Sequence, residues 1–93
     1  MKNPKFDAHL ARMAATHDAK NHDYASDTDP LSNFRFAALA AGTTMDTVFR
    51  VLIGVKLARL DELLKGKDPK HESLDDSLLD LSVYAALWAS SRQ

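Results

Sequence analysis

Apolar residues recur along this chain at intervals of three and four, which is the spacing of amphipathic α-helices. They do not alternate at every second position, as they would in a half-buried β-strand. Gly42 and Gly66 separate the apolar segments, as helix-ending glycines do. The pattern predicts an all-α fold: a small four-helix domain with short connections that takes up residues 1–93 as a single domain.

Proline and glycine positions predict the first two helices. The first begins near Pro4, a favourable first-turn residue, and a polar loop over residues 23–29 follows it. Asp29 and Pro30 have the pattern of an N-cap followed by proline at the first helical position. The second helix is therefore expected to begin at Pro30 and to end at Gly42.

Two capping-box spacings predict the other two helices. Thr43 with Asp46 opens the third helix, which ends before Gly66. Ser73 with Asp76 opens the fourth helix, which runs nearly to the C-terminus. In this motif the side chain of the N-cap residue accepts a hydrogen bond from the backbone N–H of the third helical residue. The side chain of that third residue in turn accepts a hydrogen bond from the backbone N–H of the N-cap residue.

The apolar face of the third helix carries two basic residues. At 100° per residue, Lys56 and Arg59 fall in the middle of a face formed by Met45, Val48, Phe49, Leu52, Leu60 and Leu63. Burying an unpaired charge is costly. The two cations are therefore expected to be neutralised by acidic residues or to bind a ligand.

The fourth helix is apolar nearly all round, with two carboxylates set into it. One predicted apolar face consists of Leu74, Leu78, Leu81, Ala85 and Trp88. On another side, Asp76 and Asp80 stack at i and i+4, next to Tyr84. A helix that is apolar on two faces usually buries one in its own fold and the other against a partner. This pattern predicts a homo-oligomer.

Two interpretations of Lys56, Arg59, Asp76 and Asp80 stay open. They form an internal salt-bridge cluster, or they line a polar pocket between helices. In the pocket the cations would hold phosphate, and the carboxylates would hold a base, a ribose or Mg²⁺. Asp76 has a third possible role, in which it serves only as the capping-box carboxylate.

Aromatic residues bracket the segment between the first two helices. Tyr24 precedes it, and Phe34 follows it directly after Asn33. Aromatic faces and an amide side chain are what a nucleobase pocket needs, for stacking and for edge hydrogen bonds. The alternative is that Tyr24 and Phe34 fill the core where the chain turns.

The composition of the chain excludes several types of functional site and of binding partner. There are no cysteines, which excludes disulfides, zinc–thiolate sites and thiol nucleophiles. Twelve basic and 13 acidic residues give a net charge of −1, so neither nucleic acid nor a membrane is an expected partner. No signal-peptide pattern and no phosphate-binding or nucleophile motif is visible. We expect a cytoplasmic protein with no catalytic residue that can be named from spacing.

Several segments together resemble a known family, over residues 19–87. They are Lys20 with Asp23-Tyr24, Leu31-Ser32-Asn33-Phe34, Val55-Lys56-Leu57-Ala58-Arg59-Leu60, and Glu72-Ser73-Leu74-Asp75-Asp76-Ser77-Leu78-Leu79-Asp80-Leu81 with Tyr84. This pattern resembles small phage-encoded helical proteins described as a nucleotide-modification-associated domain. That family is distantly similar to the all-α nucleoside triphosphate pyrophosphohydrolases of the MazG type.

The resemblance implies a nucleotide ligand but only half of a metal site. MazG-type enzymes bind Mg²⁺ through a Glu-x-x-Glu pair on one helix and a Glu-x-x-Asp pair on the next. Here Asp76 and Asp80 could supply the second pair, at i, i+4, while the first pair has no match. The resemblance therefore favours binding without turnover, with no cofactor. The ligand would be a nucleotide, such as a cyclic or modified nucleotide that signals in bacterial defence.

The sequestering interpretation gives each candidate residue a role. Lys56 and Arg59, with Lys20, would hold phosphate; Tyr24 would stack on the base; Asn33 and Asp80 would read base or ribose; and Phe34, Asp76 and Tyr84 complete the set. Two alternatives stay open. One is a Mg²⁺-dependent nucleoside triphosphate pyrophosphohydrolase with Asp76 and Asp80 as metal ligands. The other is a protein–protein interaction module with a structural salt-bridge cluster.

Overall fold

In a computed structural model the chain forms α1 (Pro4–Tyr24), α2 (Ser32–Ala41), α3 (Met45–Leu64) and α4 (Leu74–Ser91). The structure describes residues 1–24, 29–69 and 72–93, and of Asp23 and Tyr24 it describes the backbone alone. Within these ranges there is no strand, so the predicted all-α, four-helix fold is confirmed. α3 lies in the centre, with α4 along it and α2 across it, and α1 packs against α4.

α2 begins two residues later than predicted. The Asp29 carboxylate accepts hydrogen bonds from the Leu31 N–H at 2.9 Å and from the Arg35 guanidinium at 2.7 Å. The Asp29 carbonyl accepts from the Ser32 N–H at 3.1 Å. Because these bonds hold the chain in a turn, Pro30 lies before the helix, and the predicted start at Pro30 is wrong.

The corner between α2 and α3 also differs from the prediction. Gly42 ends α2 as predicted, in the left-handed conformation with φ 66°. The Thr43 N–H then donates back to the last turn of α2 at 2.9 Å. Because the Thr43 N–H is bonded to α2, the N-cap of α3 is Thr44, whose hydroxyl accepts a hydrogen bond from the Thr47 N–H at 3.2 Å. The predicted capping box of Thr43 with Asp46 is wrong.

The helices on either side of this corner are bent by 98° relative to each other. In the part of the chain that the structure describes, no single helix has the length and apolar composition needed to cross a membrane. α2 and α3 meet that criterion only when they are taken together across the bend.

The core is thin and centres on a row of three aromatic rings. The buried apolar side chains are Ala38, Phe49, Leu60, Leu79 and Val83. Phe49 is fully buried, with its ring centroid 4.7 Å from that of Phe34 and 6.3 Å from that of Trp88. These three residues, here called the aromatic row, tie α2, α3 and α4 together.

α4 contributes residues of different faces to the core, since Trp88 stacks on Phe49 while Leu79 and Val83 are also buried. Leu79, Val83 and the polar Ser77 are buried, whereas Leu78 is 43% exposed and Ala85 is exposed. Asp80 of the same helix pairs with Lys56 of α3. The predicted capping box of Ser73 with Asp76 is confirmed at the start of the same helix.

Candidate functional site

Five charged side chains from α1, α3, α4 and the segment before α4 form one cluster. Lys56 Nζ lies 2.8 Å from Glu72 Oε1 and 3.0 Å from Asp80 Oδ2. Lys20 Nζ lies 3.2 Å from Asp80 Oδ1. Arg59 donates from Nη2 to the Glu72 carbonyl at 3.2 Å, and its Nε lies 3.6 Å from Glu72 Oε2. In this charged cluster the basic pair of α3 is neutralised by carboxylates.

Glu72 is the residue of this cluster that we did not predict. Its carboxylate binds Lys56 and also accepts a hydrogen bond at 2.9 Å from the hydroxyl of the fully buried Ser77. The hydrogen bond from Lys56 holds the pKa of Glu72 below its usual value. Burial alone would lower the pKa of Lys56, but its hydrogen bonds to Glu72 and Asp80 outweigh that effect and raise it. Both side chains are therefore ionised at neutral pH.

Spacing gives only a weak signal for Glu72. It stands four residues before Asp76 and eight before Asp80, in step with the carboxylates of α4. Glu72 precedes the N-cap Ser73 and so lies outside α4, where helical spacing no longer applies.

The structure does not bring Asp76 to the charged cluster. Its carboxylate accepts a hydrogen bond from the Ser73 N–H at 3.2 Å, and its side chain is exposed. Hydrogen bonds from Ser73 also lower the pKa of Asp76. Of the roles considered for Asp76, the structure supports the capping role.

A cleft of about 420 Å³ opens beside the charged cluster, lined by residues of all four helices. Apolar side chains of α3 and α4, among them Leu52 and Val83, form part of its wall. Its polar lining comprises His17, Lys20, Asn21, Asn33 and Asp80. We refer to it as the four-helix cleft.

Asn33 carries the strongest sign that this cleft is a binding site. Its Oδ1 atom is buried and has no hydrogen-bond partner among the described residues. A buried polar atom without a partner costs about 1–3 kcal/mol, so such atoms are rare and mark strained or functional positions. Because this atom is covered, a ligand in the cleft could bond to it only after the Asn33 side chain turns toward the cleft.

Most of the predicted binding residues lie together here: the cleft is lined by Lys20, Asn33, Phe34, Asp80 and Tyr84. Phe34 also fills the core, since its ring stacks on Phe49. Lys56 adjoins the cleft through its bond to Asp80.

Two predicted residues do not reach the cleft or cannot be placed in it. Arg59 lines a separate hollow near the end of α3, with Glu62 and Lys67. The side chain of Tyr24 lies outside the described residues, so its predicted stacking role is not placed.

The acidic residues are arranged differently from those of a metal cage. Within residues 1–24, 29–69 and 72–93, no three His, Asp or Glu side chains are grouped so that they could hold a metal ion. The candidate Mg²⁺ ligands have separate partners: Asp76 binds the backbone of Ser73, and Asp80 binds Lys20 and Lys56.

Comparison of the chain with protein-family models, with curated proteins and with solved structures gave no match. The resemblance to the nucleotide-modification-associated family therefore stays a prediction from sequence motifs. The four-helix cleft is therefore the feature that bears on function.

Proposed function

We propose that this protein binds a nucleotide in the four-helix cleft and releases it unchanged. The observation that carries the proposal is Asn33, which lines a cleft that also holds aromatic and cationic side chains and whose buried Oδ1 has no partner among the described residues. The volume of about 420 Å³ falls within the range of small-molecule sites. Apolar walls with a few convergent polar groups are the usual composition of such sites.

The aromatic part of the cleft lining suits a nucleobase or ribose. The rings of Phe34 and Tyr84 contribute to its lining, and planar bases pack well against aromatic side chains. Asn33 Oδ1 would accept from an amino or imino group on the base edge. Asp80 has acceptor capacity left for a second such group, because each carboxylate oxygen has two lone pairs.

Lys20 is the cation best placed for a phosphate. Its side chain is 56% exposed, and its ion pair with Asp80 is of the weak, solvent-accessible kind. Lys56 is held between two carboxylates, and Arg59 is bound by Glu72. We therefore assign phosphate binding to Lys20, and we assign to Lys56 and Arg59 the role of holding Asp80 and Glu72 in place.

The partners of the carboxylates support binding without turnover. Hydrolysis of a polyphosphate by the MazG-type mechanism needs acidic residues that hold metal against phosphate and water. Here Asp80 faces two lysines, and Asp76 closes a helix end. The enzyme alternative would require both carboxylates to leave these partners.

Nucleotide retention tests the proposal directly. The protein is incubated with a panel of linear and cyclic nucleotides, with Mg²⁺ or with a chelator, then filtered, and the retained fraction is denatured and chromatographed. We expect one nucleotide to be retained and recovered unchanged under both conditions.

Lys20→Ala should weaken nucleotide binding about tenfold or more, since it removes a charge-assisted hydrogen bond. The matched control is Lys65→Ala, which removes another exposed lysine paired with an aspartate. Passage of every nucleotide through the filter would refute the proposal, and a product formed only with Mg²⁺ would favour the pyrophosphohydrolase.

Asn33→Leu separates a binding role from a structural one. We expect it to abolish nucleotide retention and to raise the free energy of unfolding of the ligand-free protein by about 1 kcal/mol, because a buried acceptor without a partner is removed. Urea denaturation without ligand measures the second effect. Lower stability in this variant would show that Asn33 supports the fold instead.

A further inference from the structure

The charges around the four-helix cleft restrict the kind of nucleotide that it can hold. Lys20 is the one lysine or arginine among the described residues that line the cleft. Asp80 lies beside it, with its Oδ1 atom 3.2 Å from Lys20 Nζ. The adjoining cation, Lys56, is enclosed between Glu72 and Asp80, and its side chain is only 16% exposed. The described lining therefore offers a phosphate one lysine, with a carboxylate next to it.

We infer that the ligand carries a single phosphate group, as a nucleoside monophosphate or a cyclic nucleoside monophosphate does. This inference rests on the proposed nucleotide-binding function and names the class of nucleotide. One phosphate at Lys20 gains a charge-assisted hydrogen bond. Further phosphates would meet no second lysine or arginine among the described lining residues, and they would bring more negative charge near Asp80.

Sites for longer phosphate chains are built differently. Enzymes that bind a nucleoside triphosphate surround its chain with several positive charges, commonly a lysine together with Mg²⁺. In this protein the cations next to the cleft are held by carboxylates, since Lys56 pairs with Glu72 and Asp80, and Arg59 pairs with Glu72. To bind a second phosphate, either cation would have to leave its partner.

The size of the cleft agrees with a ligand of this class. Its volume of about 420 Å³ lies near the lower end of the range of about 300–1,000 Å³ for small-molecule sites. A nucleoside with one phosphate is the smallest kind of nucleotide, so it is the kind that a cleft near this lower limit accommodates best.

A binding series tests the inference. The nucleoside, its monophosphate, cyclic monophosphate, diphosphate and triphosphate are titrated by calorimetry for adenine, guanine, cytosine and uracil, with a chelator present throughout. For the base that binds, we expect one of the two monophosphates to bind about tenfold more tightly than the nucleoside, because it gains the contact with Lys20. We expect the triphosphate to bind more than about threefold more weakly than that monophosphate, because of repulsion from Asp80. Comparison of the linear with the cyclic monophosphate shows which of them the site takes.

Two variants locate the origin of these differences. Lys20→Ala should remove the difference between monophosphate and nucleoside, since the phosphate contact is lost. Asp80→Asn removes a negative charge but keeps the shape of the side chain, so it should narrow the difference between monophosphate and triphosphate. Lys65→Ala is the control, and both differences should stay as in the wild-type chain. Circular dichroism checks that each variant is folded.

The outcomes distinguish this inference from the proposed function. A triphosphate that binds more tightly than the monophosphate, or within about threefold of it, would overturn the single-phosphate class and leave nucleotide binding in place. A difference between monophosphate and nucleoside that persists in Lys20→Ala would overturn the placement of the phosphate. If no nucleoside or nucleotide binds, the proposed function and this inference are both wrong.

Discussion

Replacement of Phe49 by alanine is expected to lower the free energy of unfolding by about 3–5 kcal/mol. Phe49 is the largest side chain that is fully buried, and it stacks on Phe34 on α2 and on Trp88 on α4. Its removal would leave a cavity at the junction of three helices. A domain of this length has a total stability of roughly 5–14 kcal/mol, and the few buried side chains place this one near the lower end. The variant should therefore be marginally folded at 25 °C.

Trp88 offers a direct readout of this change. It is the only tryptophan, it stacks on Phe49, and its indole N–H donates to Asp46 at 2.7 Å. Urea denaturation followed by both tryptophan fluorescence and circular dichroism would measure the loss, at one fixed protein concentration because oligomers dissociate on dilution. Phe6→Ala is the control: Phe6 is 56% exposed, and its loss should cost less than about 1 kcal/mol. Similar losses for the two variants would mean that the aromatic row does not anchor the fold.

The helices of this protein follow from apolar periodicity, but two of their ends depend on competing local hydrogen bonds. The Asx-type turn at Asp29 delays α2 past Pro30, although proline at the first helical position is a sound general signal. Thr43 has the right spacing from Asp46 for a capping box, yet its N–H closes the turn after Gly42. Local sequence patterns indicate which residues could begin or end a helix. The hydrogen bonds of the whole turn determine which of these residues does so.

Local sequence patterns likewise predict part of the candidate site, and the rest of the site depends on tertiary structure. The position of Lys56 and Arg59 on an apolar face left two outcomes open, neutralisation by acidic residues or binding of a ligand, and in the structure Glu72 pairs with both of them. The identity of the acid could not be derived from one helix, since Glu72 lies before α4 and depends on the rotation of that helix. Among the described residues Asn33 Oδ1 has no partner, and this property depends on tertiary burial.

The second large effect on the free energy of unfolding is expected from a substitution in the charged cluster. Lys56→Met should lower the free energy of unfolding by about 2 kcal/mol at neutral pH, because it leaves Glu72 and Asp80 as like charges without the cation between them. Removing one partner of a fully buried pair costs about 3–5 kcal/mol, and the smaller value reflects the remaining exposure of these side chains, between 16% and 22%. Lys65→Met is the control. Its pair with Asp61 is more than half exposed, so the loss should stay within about 0.5 kcal/mol.

The pH dependence of this difference distinguishes charge from packing. Because Lys56 lowers the pKa of Glu72, the pair stabilises the wild-type fold above the ordinary glutamate value of 4.5 and loses this contribution as the pH falls through the lower folded-state value. Lys56→Met lacks the contribution throughout, so the gap between the two proteins should be widest near neutral pH and should narrow in acid. The lowered pKa values of Asp29, Asp46 and Asp76 affect both proteins equally and cancel. Urea denaturation from about pH 7 to about pH 3 measures the gap. A gap that stays constant over this range would assign the loss to packing of the lysine methylene groups and would remove the electrostatic basis for the charged cluster.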